Sequence, residues 1–173
     1  MQTKLDLCTM ALLKLGEQPI QSLNQDTPAA QLALTLFDST MDTLLASHPW
    51  RFATRRIKLK KNTDGNFLIP SECLRVLRCD GEIFGNHIAA SGDTMTITAT
   101  VRVSPENFPG YFASVAATKL AMEFCIPLMG DKNVFSMLAA LYETELQSAK
   151  FIDSAASNAH SSINKFSLIN ARF

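Results

Sequence analysis

Thr94-Met95-Thr96-Ile97-Thr98-Ala99-Thr100-Val101-Arg102-Val103 alternates apolar and polar side chains without a break. Met95, Ile97, Ala99, Val101 and Val103 fall on one side, and the threonines with Arg102 fall on the other. Successive side chains of a strand point to opposite faces, so this stretch reads as a half-buried β-strand of strong β-formers. Working outward from it, residues 74–79 and 57–61 read as further strands. Ile83-Phe84-Gly85-Asn86-His87-Ile88 reads as a tight hairpin, and residues 62–66 and Gly92-Asp93 as turns. The β-rich region covers residues 50–104.

On either side the period changes to that of a helix. Thr3 is placed to cap a first helix that stops at Gly16, with Leu5, Cys8, Leu12 and Leu15 at spacings of three and four. Asp26 or Thr27 caps a second helix that begins at Pro28 and ends before Pro49. Pro109 sits in the first turn of a third helix reaching Ile126 or Pro127, and Ala113, Ala117 and Ala121 leave one of its faces open to close approach by a neighbour. After Gly130, Asp131 caps a fourth helix with the stripe Phe135, Leu138, Tyr142, Leu146, Ala149 and Ile152, expected to fade within residues 154–158. The fold class is therefore mainly α with a β-rich insertion (α+β). A four-helix bundle carries strands and hairpins between helices 2 and 3, and ends in an extended C-terminal arm. As domains, residues 1–157 form one unit (helices in 1–49 and 105–157, insertion in 50–104) and residues 158–173 form the arm.

The composition narrows the function. The chain has 173 residues, 16 bases and 16 acids, 47% hydrophobic residues and only 18% charged ones; an average soluble chain carries roughly 25%. It is too apolar for general disorder and too neutral overall for a general nucleic-acid binder. Lys119 and Glu123 interrupt its most apolar run, and the N-terminus lacks a basic segment leading into an apolar one, so neither a membrane span nor a signal peptide is expected. A neutral, charge-poor surface favours association. Cys8, Cys73, Cys79 and Cys125 form no Cys-x-x-Cys pair and have no nearby histidine; they read as buried hydrophobes in a reducing compartment. His48, His87 and His160 lack metal-ligand spacing. No phosphate-binding glycine loop and no nucleophile elbow occurs. Ser162-Ile163-Asn164-Lys165 matches a nucleophile pattern in letters only, in a tail with nothing to preorganise it. No catalytic, cofactor-binding or metal-binding residue is assigned, and an enzyme is not expected.

Two segments stand out. Residues 51–61 hold six bases (Arg51, Arg55, Arg56, Lys58, Lys60 and Lys61) and no acid. In a strand Lys58 and Lys60 share one face, and Ile57 and Leu59 the other. One reading is an edge strand guarded by lysines against aggregation. The other is a patch facing an acidic partner or a phosphate backbone. The tail is rich in Ser and Asn yet contains Ile163, Phe166, Leu168, Ile169 and Phe173, unusual for a solvated segment. It either folds back on its own domain or docks on a partner. Trp50 reads as a core or inter-helix anchor, with packing at a subunit interface as the other reading.

Several segments together resemble a known family. They are Ala11-Leu12-Leu13-Lys14-Leu15-Gly16-Glu17-Gln18-Pro19-Ile20, followed by Ser22-Leu23; His48-Pro49-Trp50-Arg51-Phe52-Ala53; Phe67-Leu68-Ile69-Pro70-Ser71-Glu72-Cys73-Leu74-Arg75-Val76-Leu77; and Pro105-Glu106-Asn107-Phe108-Pro109-Gly110-Tyr111-Phe112. Ala171-Arg172 is a weaker echo. In order and spacing the chain resembles the head–tail adaptor (connector) proteins of tailed bacteriophages, of the tail tubular protein A type. The resemblance implies a non-enzymatic virion protein at the capsid vertex, made in the host cytoplasm. It implies a ring, commonly of twelve copies, beneath the portal, joining it to the tail or nozzle around the DNA path, with non-specific contact to that DNA as a further possibility. The short middle leaves little room for the peripheral domain of larger members. The reading from another class is a small cellular helical module that binds nucleic acid or regulates.

Overall fold

The computed structural model describes residues 2–167, with side chains through residue 155. Four helices and six strands follow one another as α1 (Lys4–Lys14), α2 (Pro28–Ser47), β1 (Thr54–Lys60), β2 (Phe67–Leu68), β3 (Cys73–Arg78), β4 (Glu82–Phe84), β5 (His87–Ala89), β6 (Thr94–Val101), α3 (Gly110–Met129) and α4 (Lys132–Ser167). The architecture is α+β, with every strand between α2 and α3.

Local chemistry starts the helices where the sequence places their caps. The Thr3 hydroxyl accepts the Asp6 N–H (3.2 Å), and the Asp6 carboxylate accepts the Thr3 N–H (2.8 Å), a reciprocal capping box. Thr27 accepts the Ala30 N–H, with Pro28 as the first helical residue. α3 runs past Pro127 to Met129, two residues beyond the expected stop. A proline in the last turn forfeits one internal hydrogen bond, and Gly130, left-handed at φ +66°, closes the end by donating to the Cys125 and Ile126 carbonyls.

α3 is the central helix and packs on α1, α2 and α4. Its most apolar window has a mean hydropathy of 1.4, the composition of a membrane span, and most of that window is buried inside the bundle. Ala113, Ala117 and Ala121 are fully buried, which brings the neighbouring backbones close. α4 corrects two expectations. It buries Leu138, Leu146 and Ala149, but Phe135 and Ile152 lie exposed, and Asp153 takes the buried place one residue further on. It also continues to Ser167, so residues 158–167 are helical where an extended arm was expected. No glycine or proline follows Gly130, so nothing in that part of the sequence breaks a helix.

The strands form two antiparallel sheets, ordered β1-β6-β3 and β2-β5-β4. β6, the alternating strand, is the centre of the first. Its partners come from both sides of the chain: Ile57 faces Ile97 from β1, and Val76 faces Ala99 from β3 across a bulged register. Phe84 and His87 bracket the two-residue turn Gly85-Asn86, where Gly85 adopts φ +56°. Leu59, Phe67, Ile88, Met95, Ile97 and Ala99 close a small β core of their own. A larger core unites the helices with Trp50, Ala53 and Phe108. Arg102 joins the two parts with a forked contact to Asp42 of α2, its Nε donating to Oδ1 at 2.8 Å.

Candidate functional site

The two segments with the most distinctive aromatic content meet in space. Trp50 is fully buried and its indole N–H donates to the Leu44 carbonyl at 3.0 Å. Its ring stands edge-on to Phe112 (centroids 5.0 Å apart) and to His48 (4.8 Å). Phe52 and Phe108 complete the cluster against Phe112 at 4.8 and 4.7 Å. Residues 48–53 and 105–112 thus interlock at the junction of α2, β1 and α3.

Beneath this junction lies a buried carboxylate that sequence reasoning missed. Asp153 of α4 is only 2% exposed. It accepts the Tyr111 hydroxyl at 2.7 Å and the Arg51 backbone N–H at 3.1 and 3.3 Å, with His48 Nε2 at 3.9 Å. Nothing in its own Ser- and Ala-rich neighbourhood marks it; a lone acid in register with the buried face of α4 was the available signal. Burial and the Asp153 carboxylate together hold the Tyr111 phenol well above its usual range. Two turns earlier Glu145 makes a second tie, accepting Ser114 Oγ (3.1 Å), the Thr118 hydroxyl and Lys14 Nζ (3.3 Å). These two acids fasten α4 to α1, to α3 and to the start of β1. Each accepts donors from other elements, so the arrangement fixes those elements in place.

His48 gives this junction a pH dependence. Burial lowers its pKa below the ordinary 6.5, against the opposing pull of Asp153. A base whose folded pKa is depressed is stabilising in its neutral form; that contribution is complete above the unfolded value and is lost as pH falls through the folded one. The urea midpoint of the parent protein should therefore fall more between about pH 7.5 and about pH 5.5 than that of His48→Gln. Equal falls in the two proteins would refute this.

The basic segment is divided by the strand. Arg56, Lys58 and Lys60 project from one face of β1 and are exposed, whereas Leu59 is buried and Ile57 half-buried on the other. Arg55 lies on the Ile57 side and donates to the Thr54 carbonyl (3.0 Å). Arg51 begins the short 3₁₀ turn Arg51–Ala53, and Lys61 Nζ sits over the Phe67 ring at 5.8 Å. None of the six has an ion-pair partner among the described residues. β1 is an edge strand. The side chains of Ile163 and Phe166, and all of Leu168, Ile169 and Phe173, lie outside what the structure describes. All four cysteines are free thiols; Cys8 and Cys125 are buried, whereas Cys73 and Cys79, at opposite ends of β3, are half-buried against the small β core. Burial pushes the Cys8 thiol up to about 12, an inert state. Among the described residues no three His, Cys, Asp or Glu side chains converge as a metal site.

A helical wall on one central helix, a small sheet module and polar groups committed to joining them describe a structural protein. The family model for tail tubular proteins matches residues 5–136, from the first turn of α1 into α4. The chain belongs to the tail tubular protein family and is a structural component of a phage tail, working in assembly with other phage proteins. No curated protein matches it. The residues that interlock around Trp50 and Phe112 lie within the matched region, and Asp153 lies beyond it.

Proposed function

We propose that this chain is a head-to-tail adaptor subunit, without enzymatic activity, that closes into a ring beneath the portal and joins it to the tail around the DNA path. The observation that carries this reading, within a tail tubular family member, is an uncovered apolar stripe on α4, with single leucines left exposed on two other helices. On α4, Met137 and Phe151 are 73% and 75% exposed, with Leu141 between them; on α1 and α2, Leu13 and Leu34 are 58% and 47% exposed. A ring buries apolar surface between copies, because one face of each subunit meets a different face of the next. Twelve is the copy number that the resemblance implies. Its site is the capsid vertex, at the head–tail junction.

In this reading Ile163, Phe166, Leu168, Ile169 and Phe173 dock on the portal or on a neighbouring subunit. Their support is hydrophobicity in a stretch that contains no acid from residue 154 onward. Trp50 is the internal anchor on which the wall is built, and Arg51 to Lys61 meet a partner beyond the wall. A protein lacking residues 158–173 should still fold and should lose co-sedimentation with the portal protein. Undiminished co-sedimentation would overturn the docking role of this segment.

A further inference from the structure

The outer face of the β1-β6-β3 sheet is a continuous surface of hydrogen-bond donors. Arg56, Lys58 and Lys60 lie directly opposite Thr98, Thr96 and Thr94, and opposed residues of an antiparallel pair share a face. Arg78 of β3 is paired with the same Thr98 from the other side, so Arg56, Thr98 and Arg78 form one row across the sheet. All four bases are exposed, as are Thr94 and Thr96. The strands β1, β3 and β6 contain no Asp or Glu. Among the described residues none of the four bases is ion-paired. The surface has a definite end: Thr100 is buried, and Arg75 beside it donates to the Ala46 carbonyl of α2 at 3.2 Å. Every second residue of a strand is about 6.5–7 Å further on, so Arg56, Lys58 and Lys60 form a ladder of like charges that nothing on their sheet neutralises.

We infer that this face docks the phosphate backbone of double-stranded nucleic acid, without regard to its sequence. Lysine and arginine beside threonine hydroxyls are the donor set that contacts phosphate oxygens. A protein partner would call for a different surface, since interface cores are depleted of lysine and anchored by buried aromatic side chains. This face has no such anchor. It also has no aromatic platform on which the bases of a single strand stack. The inference deepens the role given above to the basic segment and adds Arg78 and the threonine rows to it. It needs only the individual subunit, so it and ring closure fail or succeed separately.

The test uses the full-length protein and a labelled mixed-sequence duplex, with anisotropy followed over a range of salt. The logarithm of the binding constant should fall linearly with the logarithm of salt, with a slope of about −3 to −4 for four phosphate contacts. Arg56→Ser, Lys58→Ser, Lys60→Ser and Arg78→Ser should each reduce that slope by about one. Arg102→Ser removes a base held by Asp42 and should leave the slope unchanged. Arg78→Ser is the decisive variant, because Arg78 joins the face only through the sheet; melting curves matching the parent's establish that each variant is folded. Duplex binding that salt does not weaken, or a slope unmoved by Arg78→Ser, would overturn the proposal. So would tighter binding of poly-glutamate or of single-stranded DNA than of the duplex at equal salt.

Discussion

Trp50→Ala should lower folding stability by about 3–5 kcal/mol, read as a fall in the urea midpoint with little change in slope. Three losses combine. The indole is completely buried, so its removal opens a cavity between α2 and α3 that Phe52 and Phe112 cannot both fill. Its edge-on contacts with His48 and Phe112 disappear. The Leu44 carbonyl at the end of α2 also loses the indole N–H and keeps the Ser47 hydroxyl as a donor. Trp50→Phe keeps most of the ring and loses the hydrogen bond, so it should cost clearly less. A change below about 1 kcal/mol for the alanine variant would mean that Trp50 is not an anchor of the core.

Asp153→Ala should cost about 1–3 kcal/mol, because two donors at part-buried hydrogen bonds, the Tyr111 hydroxyl and the Arg51 N–H, lose their acceptor at once. Asp153→Asn retains an acceptor oxygen and should cost less. The explanation is specific enough for a double-mutant cycle. In a Tyr111→Phe background one of the two orphaned donors is already gone, so the Asp153→Ala penalty should shrink by about 1–2 kcal/mol. Strict additivity in urea denaturation would show that the carboxylate does not act through Tyr111.

Much of this fold was legible before any coordinates. The alternation of residues 94–103, the Thr3 and Thr27 caps and the Gly85-Asn86 turn are local signals, and each matches what forms there. What stayed hidden depends on partners distant in sequence. Nothing in β6 itself indicates that β1 and β3 flank it, and two register shifts in β3 bring Arg78 opposite Thr98, in one row with Arg56. Apolar spacing extends the buried stripe of α4 to Phe135 and Ile152, which are exposed, because spacing alone does not reveal which side α3 covers. Asp153 was passed over for the reverse reason. A buried acid contradicts composition until Tyr111 and Arg51, 42 and 102 residues away in sequence, are seen to satisfy it. The end of α4 is not legible in the sequence, because Ser and Asn weaken a helix without stopping it. In the basic segment the parity of Lys58 and Lys60 was readable, but the surface they share with Arg78 exists only in the folded sheet.

The central claim is that these subunits close into a ring at the portal. Its most direct test is the native mass of the purified protein, measured alone and with the portal protein of the same phage. The adaptor reading predicts a discrete complex in which a closed set of subunits, twelve by resemblance, sits on each portal. A protein that stays monomeric and unbound in the presence of assembled portal would contradict it.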